Sequence, residues 1–216
     1  MTRPTVIWLH GLGDSGAGWS HLRQELRIDG VDFVFPDAPV APVTCNGGME
    51  MRSWMDLADI PVTLDTPGVR SGDAAGLDTS TEAVHKEIDK VVAKGTPASK
   101  ILVGGFSQGG AMAVRSVYSY KEKLAGCVCF SGWAAQEDKL RAYLEEGKNK
   151  DTTAMVVHGT VDQVVLPACG MRVAEILEAA GTPVQAMTFQ MAHSTHPQQM
   201  AQAARFVRAC LGLASE

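Results

Sequence analysis

The chain has 216 residues, 45% of them hydrophobic and 20% charged, with a formal net charge of -5. A chain of that size buries a sizeable core without dividing, so one domain over residues 1–216 is expected, and the missing basic block excludes nucleic-acid or anionic-membrane binding of the electrostatic kind. Met1-Thr2-Arg3-Pro4 runs straight into apolar sequence without a secretory signal, and no later apolar stretch could span a bilayer, so a cytoplasmic setting with no stable membrane anchor is expected.

In chain order, the first predicted strand is Val6 to Leu9, followed by His10-Gly11-Leu12-Gly13-Asp14-Ser15-Gly16 and a helix from near Ala17. Alone, Gly11-x-Gly13-x-x-Gly16 after a strand, with Asp32 and Asp37 beyond it, is also the pattern of a dinucleotide-binding turn. A second strand spans Val31 to Phe35. Pro36 to Ala75 has no period, yet holds Trp54, Met55, Leu57 and Ile60, which are the expected walls of an apolar groove together with Trp133. Val84, Ile88, Val91 and Val92 share a helical face, with Asp78, Thr79 or Ser80 as the expected cap and Gly95 and Pro97 closing the helix. Strands are predicted at Ile101 to Gly105, Ala125 to Phe130, Ala154 to Val157 and Val184 to Phe189. Helical faces follow at Val173, Ile176, Leu177 and Ala180, and at Met200, Ala203, Ala204, Val207 and Leu211. This alternation predicts an α/β fold whose mostly parallel central sheet carries helices on both faces. Cys45, Cys127, Cys129, Cys169 and Cys210 are odd in number and lack C-x-x-C spacing, which predicts free thiols rather than disulfides or zinc.

The strongest chemical signal is Gly105-Phe106-Ser107-Gln108-Gly109-Gly110 between a strand and the helical stretch Ala111 to Tyr120. A serine between glycines at that junction makes a nucleophile elbow, a strained turn in which only glycine lets the backbones pass. A hydroxyl needs a base to take its proton and a carboxylate to orient that base. Asp162 follows the Ala154 strand and His193 the Val184 strand, so acid and base fall at the same sheet edge as Ser107, in the chain order this elbow takes. Activity of such a site rises with pH as the histidine base loses its proton. The oxyanion donors are expected from the backbone N–H groups of Gln108 and Leu12. His196 is expected at the start of the last helix, His10 and His158 on nearby backbone, and His21 and His85 on helix surfaces. His193-x-x-His196 lacks a third ligand, so no metal is expected.

These segments resemble the acyl-protein thioesterase and carboxylesterase family, described as phospholipase/carboxylesterase-like. The resemblance runs from Val6 to about Leu211 through Leu9-His10-Gly11-Leu12-Gly13-Asp14, Pro36-Asp37-Ala38-Pro39, Ser53-Trp54-Met55-Asp56, the Ser107 elbow, His158-Gly159-x-x-Asp162 and Met191-Ala192-His193-Ser194. It implies an α/β-hydrolase fold, with Ser107 as nucleophile, Asp162 as acid, His193 as base and Leu12 and Gln108 as oxyanion donors. It implies activity, without a cofactor, on fatty-acyl thioesters of S-acylated proteins, lysophospholipids or small carboxylic esters, and the residues do not separate these substrates. After Phe130-Ser131-Gly132-Trp133 the chain has Ala134-Ala135 where many members place Leu-Pro, a departure expected to border the acyl groove. An intact trio of serine, acid and histidine speaks against a non-catalytic, ligand-binding relative. Oligomeric state is not legible.

Overall fold

The computed structural model describes residues 2–69 and 75–214, so positions 70–74 of the long aperiodic segment lie outside the described residues. In chain order the elements are β1 (Thr5–Leu9), α1 (Leu22–Leu26), β2 (Asp32–Val34), β3 (Val40–Val43), β4 (Met49–Arg52), α2 (Leu77–Ala93), β5 (Ile101–Phe106), α3 (Gln108–Ser119), β6 (Gly126–Phe130), α4 (Glu137–Glu146), β7 (Ala154–Gly159), α5 (Pro167–Ala179), β8 (Val184–Phe189) and α6 (Pro197–Leu211). Six strands form one sheet in the order β2-β1-β5-β6-β7-β8, and every pairing in it is parallel.

Parallel strands buried on both faces read as continuous apolar runs, and successive side chains go to opposite sides. Ile7, Leu9, Ile101, Val103, Cys127, Cys129, Ala154 and Val156 pack on one side with residues of α2 to α5. Val6, Trp8, Leu102, Val128, Phe130, Met155 and Val157 pack on the other with α1 and α6. Both faces are therefore covered, as the alternation predicted. Cys127 and Cys129 share a face as buried free thiols.

This strand order positions the site. The chain leaves β1 toward β2 through α1 on one face, and leaves β5 toward β6 through α3 on the other. The loops after β1 and β5 diverge, opening a crevice at the carboxyl edge of adjacent strands.

Three local expectations are corrected. The segment after Pro36 contains an antiparallel hairpin of β3 and β4, pairing Val40 with Arg52 and Val43 with Met49. Its strands are short and Pro42 sits within one, which hid the pattern, although Asn46-Gly47-Gly48 at its turn is a hairpin signal. Helix α2 starts at Leu77 with Gly76 as its cap, because the Asp78 carboxylate pairs with Arg115 and Lys139 instead of capping. His85 is half-buried rather than on the surface; its Nε2 lies 2.9 Å from Ser116 O and its ring meets Tyr120 edge-on at 5.2 Å.

Candidate active site

Ser107 occupies the turn between β5 and α3 at φ 57° and ψ -122°, a conformation that non-glycine residues rarely hold. Its N–H donates to Phe130 O at 2.8 Å, tying the turn to β6. The flanking glycines are required by space. A Cβ on Gly109 would lie 2.1 Å from Leu9 O and 2.5 Å from His10 O, and one on Gly105 2.3 Å from Gly109 O. These obstacles are backbone and cannot swing away, so Gly109→Ala is expected to destabilise the fold by about 3–5 kcal/mol. Chemical denaturation checks this, and a loss below about 1 kcal/mol would mean that the elbow relaxes freely.

Asp162 lies in the turn after β7. Its Oδ1 accepts the N–H groups of Val164 at 2.9 Å and Val165 at 3.0 Å, and its Oδ2 lies 2.7 Å from Nδ1 of His193. Burial works against its charge, but donors from His158, His193, Val165 and Val164 outweigh it and hold the carboxyl well below the usual carboxylate range. His193 sits in the loop after β8, its ring 4.7 Å from that of Phe106. The loops after β7 and β8 are in close contact, since a Cβ on Gly159 would meet Met191 O at 2.2 Å. With Nδ1 held by Asp162, Nε2 is left for proton transfer, and His193 and Ser107 line the same cavity. His196 instead caps α6, its side chain accepting from Gln198 N while Gln199 returns to its own N–H.

The loop after β1 runs past the elbow, because a Cβ on Gly11 would lie 3.5 Å from that of Ser107. Buried His10 holds this loop. Its Nδ1 lies 2.7 Å from Gly11 O and its Nε2 accepts Ala38 N–H at 3.0 Å, which places the ring proton on Nδ1. Asp14 N–H also reaches Gly11 O, at 3.3 Å. The Gly11 carbonyl and Leu12 N–H belong to one trans peptide and point in opposite directions, so fixing the first aims the second. Gln108 begins α3, where the N–H groups of the first turn lack helical acceptors and the helix dipole favours negative charge. Its side chain is fully buried and clamps the Ser53 to Met55 segment, accepting Trp54 N–H at 2.8 Å and donating to Met55 O at 2.7 Å. The dinucleotide pattern fits poorly here. Gly16 N–H is held by Asp37, Gly13 N–H by Arg52 O, and the helix expected from near Ala17 is a three-residue 3-10 turn, with the five-residue α1 starting only at Leu22.

A cavity of about 610 Å³ opens beside Ser107. Leu12, Met51, Ile60 and Val164 give it apolar surface, while Asp14, His21, Asn46, Ser194 and Thr195 give it polar groups. Of the expected groove residues only Ile60 is among its lining. Trp54, Met55, Leu57 and Trp133 are buried in the core, with Trp54 Nε1 donating to His10 O at 2.9 Å. Trp54, Met55 and Leu57 tie the Pro36 to Ala75 segment to the core, because large apolar side chains gain more from full burial than from half-exposed walls. Sequence reasoning missed Met51 and Val164 on the wall. It also missed His21, which stacks on Trp19 with ring centroids 5.7 Å apart. Met51 follows from the hairpin signal; for His21 the sequence carries none.

A family model described as Phospholipase/Carboxylesterase matches residues 1–211. The chain belongs to this family. It is 37% identical to acyl-protein thioesterase 1 of Emericella nidulans over 94% of this chain and 88% of that one. It is 34% identical to carboxylesterase SOBER1 of Arabidopsis thaliana over 84% of this chain and 78% of that one. The crystal structure of SOBER1 superposes with a TM-score of 0.89 at 30% identity, covering 97% of this chain and 99% of that one. Acyl-protein thioesterase 2 of Zea mays does so with a TM-score of 0.82 at 29% identity, covering 98% and 95%. The fold is thus the α/β-hydrolase fold of its phospholipase/carboxylesterase relatives. The departure at Ala134-Ala135 is buried beside Trp133 in the core and is not part of the cavity lining.

Proposed function

We propose that the chain is a serine hydrolase that cleaves carboxylic-ester or fatty-acyl thioester bonds through an acyl-enzyme on Ser107. The observation that carries this reading is the Asp162–His193 pair at 2.7 Å, whose imidazole lines one cavity with a serine held at positive φ. Ser107 Oγ attacks the carbonyl carbon as His193 Nε2 takes its proton, and the Leu12 and Gln108 N–H groups receive the oxyanion. Collapse breaks the C–O or C–S bond, and His193 returns the proton to the departing alcohol or thiol. Water, deprotonated by His193, then releases the acid and restores Ser107. Asp162, held ionised, keeps the imidazole in the tautomer that presents Nε2.

Relatives named acyl-protein thioesterase and carboxylesterase support an acyl substrate, either a small ester or an S-acylated protein. Free cysteines fit a reducing, cytoplasmic setting. Among the described residues no helix is long and apolar enough to cross a membrane.

A p-nitrophenyl ester series of rising acyl length, run beside a palmitoylated peptide, tests the substrate class. Each methylene buried against Leu12, Met51, Ile60 and Val164 contributes on the order of 0.8 kcal/mol, so kcat/KM should climb severalfold per two carbons until the wall is covered. A steady fall from acetate to octanoate would identify a small-ester carboxylesterase instead.

A further inference from the structure

Asp162 is approached by a second imidazole. His158, in β7, is 1% exposed; its Nε2 lies 2.9 Å from Val165 O and 3.4 Å from Asp162 Oδ2. Its Nδ1 is buried without a hydrogen-bond partner among the described residues. The ring is wedged against α5, where a Cβ on Gly170 would come within 2.1 Å of Nδ1. A buried ring nitrogen without a partner is unfavourable compared with an apolar side chain of similar size, so packing alone does not account for a histidine here.

The hydrogen bonds around it form a closed circuit. Val165 donates its N–H to Asp162 Oδ1 and its carbonyl faces His158 Nε2, which also faces Asp162 Oδ2. The terminal torsion of an aspartate is soft, so the Val164 and Val165 N–H groups fix Oδ1 while leaving Oδ2 able to swing. Oδ2 is the oxygen that meets His193.

We infer that His158 is a positioning residue for Asp162: the proton on its Nε2, shared between the Val165 carbonyl and Oδ2, locks the carboxylate plane so that Oδ2 stays on His193. This rests on the serine-hydrolase reading given above. The titratable groups around the circuit are Asp162 itself, His193 from the loop after β8, and Cys169 of α5, whose thiol is pushed up to about 11 by burial and by Asp162. With His158 removed, Oδ2 serves one imidazole rather than two.

The test compares His158→Leu with His158→Gln, whose amide N–H can reach the Nε2 position, each normalised by fluorophosphonate titration of active sites. His158→Leu should lower kcat about 10- to 100-fold with KM within about twofold, because a small misplacement of the acid is felt in the transition state. His158→Gln should restore kcat to within about fivefold of the wild type. His158→Phe carries the same expectation as the Leu variant should the latter not fold. A Leu or Phe variant with wild-type kcat, or equal losses in the Gln and apolar variants, would overturn the assignment. A wild-type protein that fluorophosphonate does not label would instead overturn the hydrolase reading beneath it.

Discussion

Replacing Ser107 with alanine is expected to lower kcat for a p-nitrophenyl ester about 10⁵-fold or more while the protein stays folded. Alanine bears the same positive φ as serine, and the Ser107 N–H to Phe130 O bond is retained, so the elbow keeps its shape. His193→Ala should lose nearly as much, and the double variant hardly more than either alone, because nucleophile and base act as one unit. His196→Ala supplies the contrast. It removes the cap of α6, costing about 1 kcal/mol of stability, and leaves kcat close to the wild type. Steady-state kinetics beside thermal denaturation checks all four proteins. A folded Ser107→Ala protein with wild-type turnover, or a His196 variant worse than the His193 one, would reassign the chemistry.

Asp162→Asn is expected to lower kcat about 10³- to 10⁴-fold. The carboxylate accepts from Val164 N–H, Val165 N–H and His193, with His158 close by. An amide has one acceptor oxygen and one donor nitrogen, so in either orientation its NH₂ faces donors. Val164 and Val165 can only donate, so the amide oxygen is expected to stay with them and the NH₂ to face His193, whose Nδ1 then becomes the acceptor and whose proton moves to Nε2, which removes the proton acceptor from Ser107. Stability responds to pH in a defined direction. The folded-state pKa of Asp162 is depressed, so its contribution is present above the ordinary carboxylate range near pH 4 and is lost as pH falls through the depressed value. The stability gap between wild type and Asp162→Asn should therefore narrow in acid, which denaturation at a series of pH values reads directly.

How much of this was legible in the sequence depended on whether the signal was local. The inner strands β1, β5, β6 and β7 are almost wholly buried runs and lie where the apolar pattern places them, and β8 at the sheet edge, with Gln185 and Thr188 and only partial burial, still spans Val184–Phe189 as expected. Ser107, Asp162 and His193 each follow a strand, and parallel strands end at one edge, so their convergence could be read from order alone. The walls of the cavity could not. Trp54 and Leu57 have the composition of a groove lining, but Trp54 is held inside by the Gln108 clamp and the His10 carbonyl, partners far away in sequence, and Leu57 packs into the same core. Val164 reaches the cavity because its carbonyl accepts Val62 N–H at 2.8 Å, strapping the Ile60 segment onto the acid turn. The same limit hid His158, whose link to Asp162 depends on how the turn after β7 folds back.

The most direct measurement is peptide mapping by mass spectrometry after the protein is trapped with a fluorophosphonate or a slowly deacylating ester. One adduct is expected, on the peptide carrying Gly105-Phe106-Ser107-Gln108-Gly109-Gly110, located to Ser107 and absent from the Ser107→Ala protein. Ester turnover with no adduct on Ser107, or an adduct on a different residue that persists in Ser107→Ala, would contradict it.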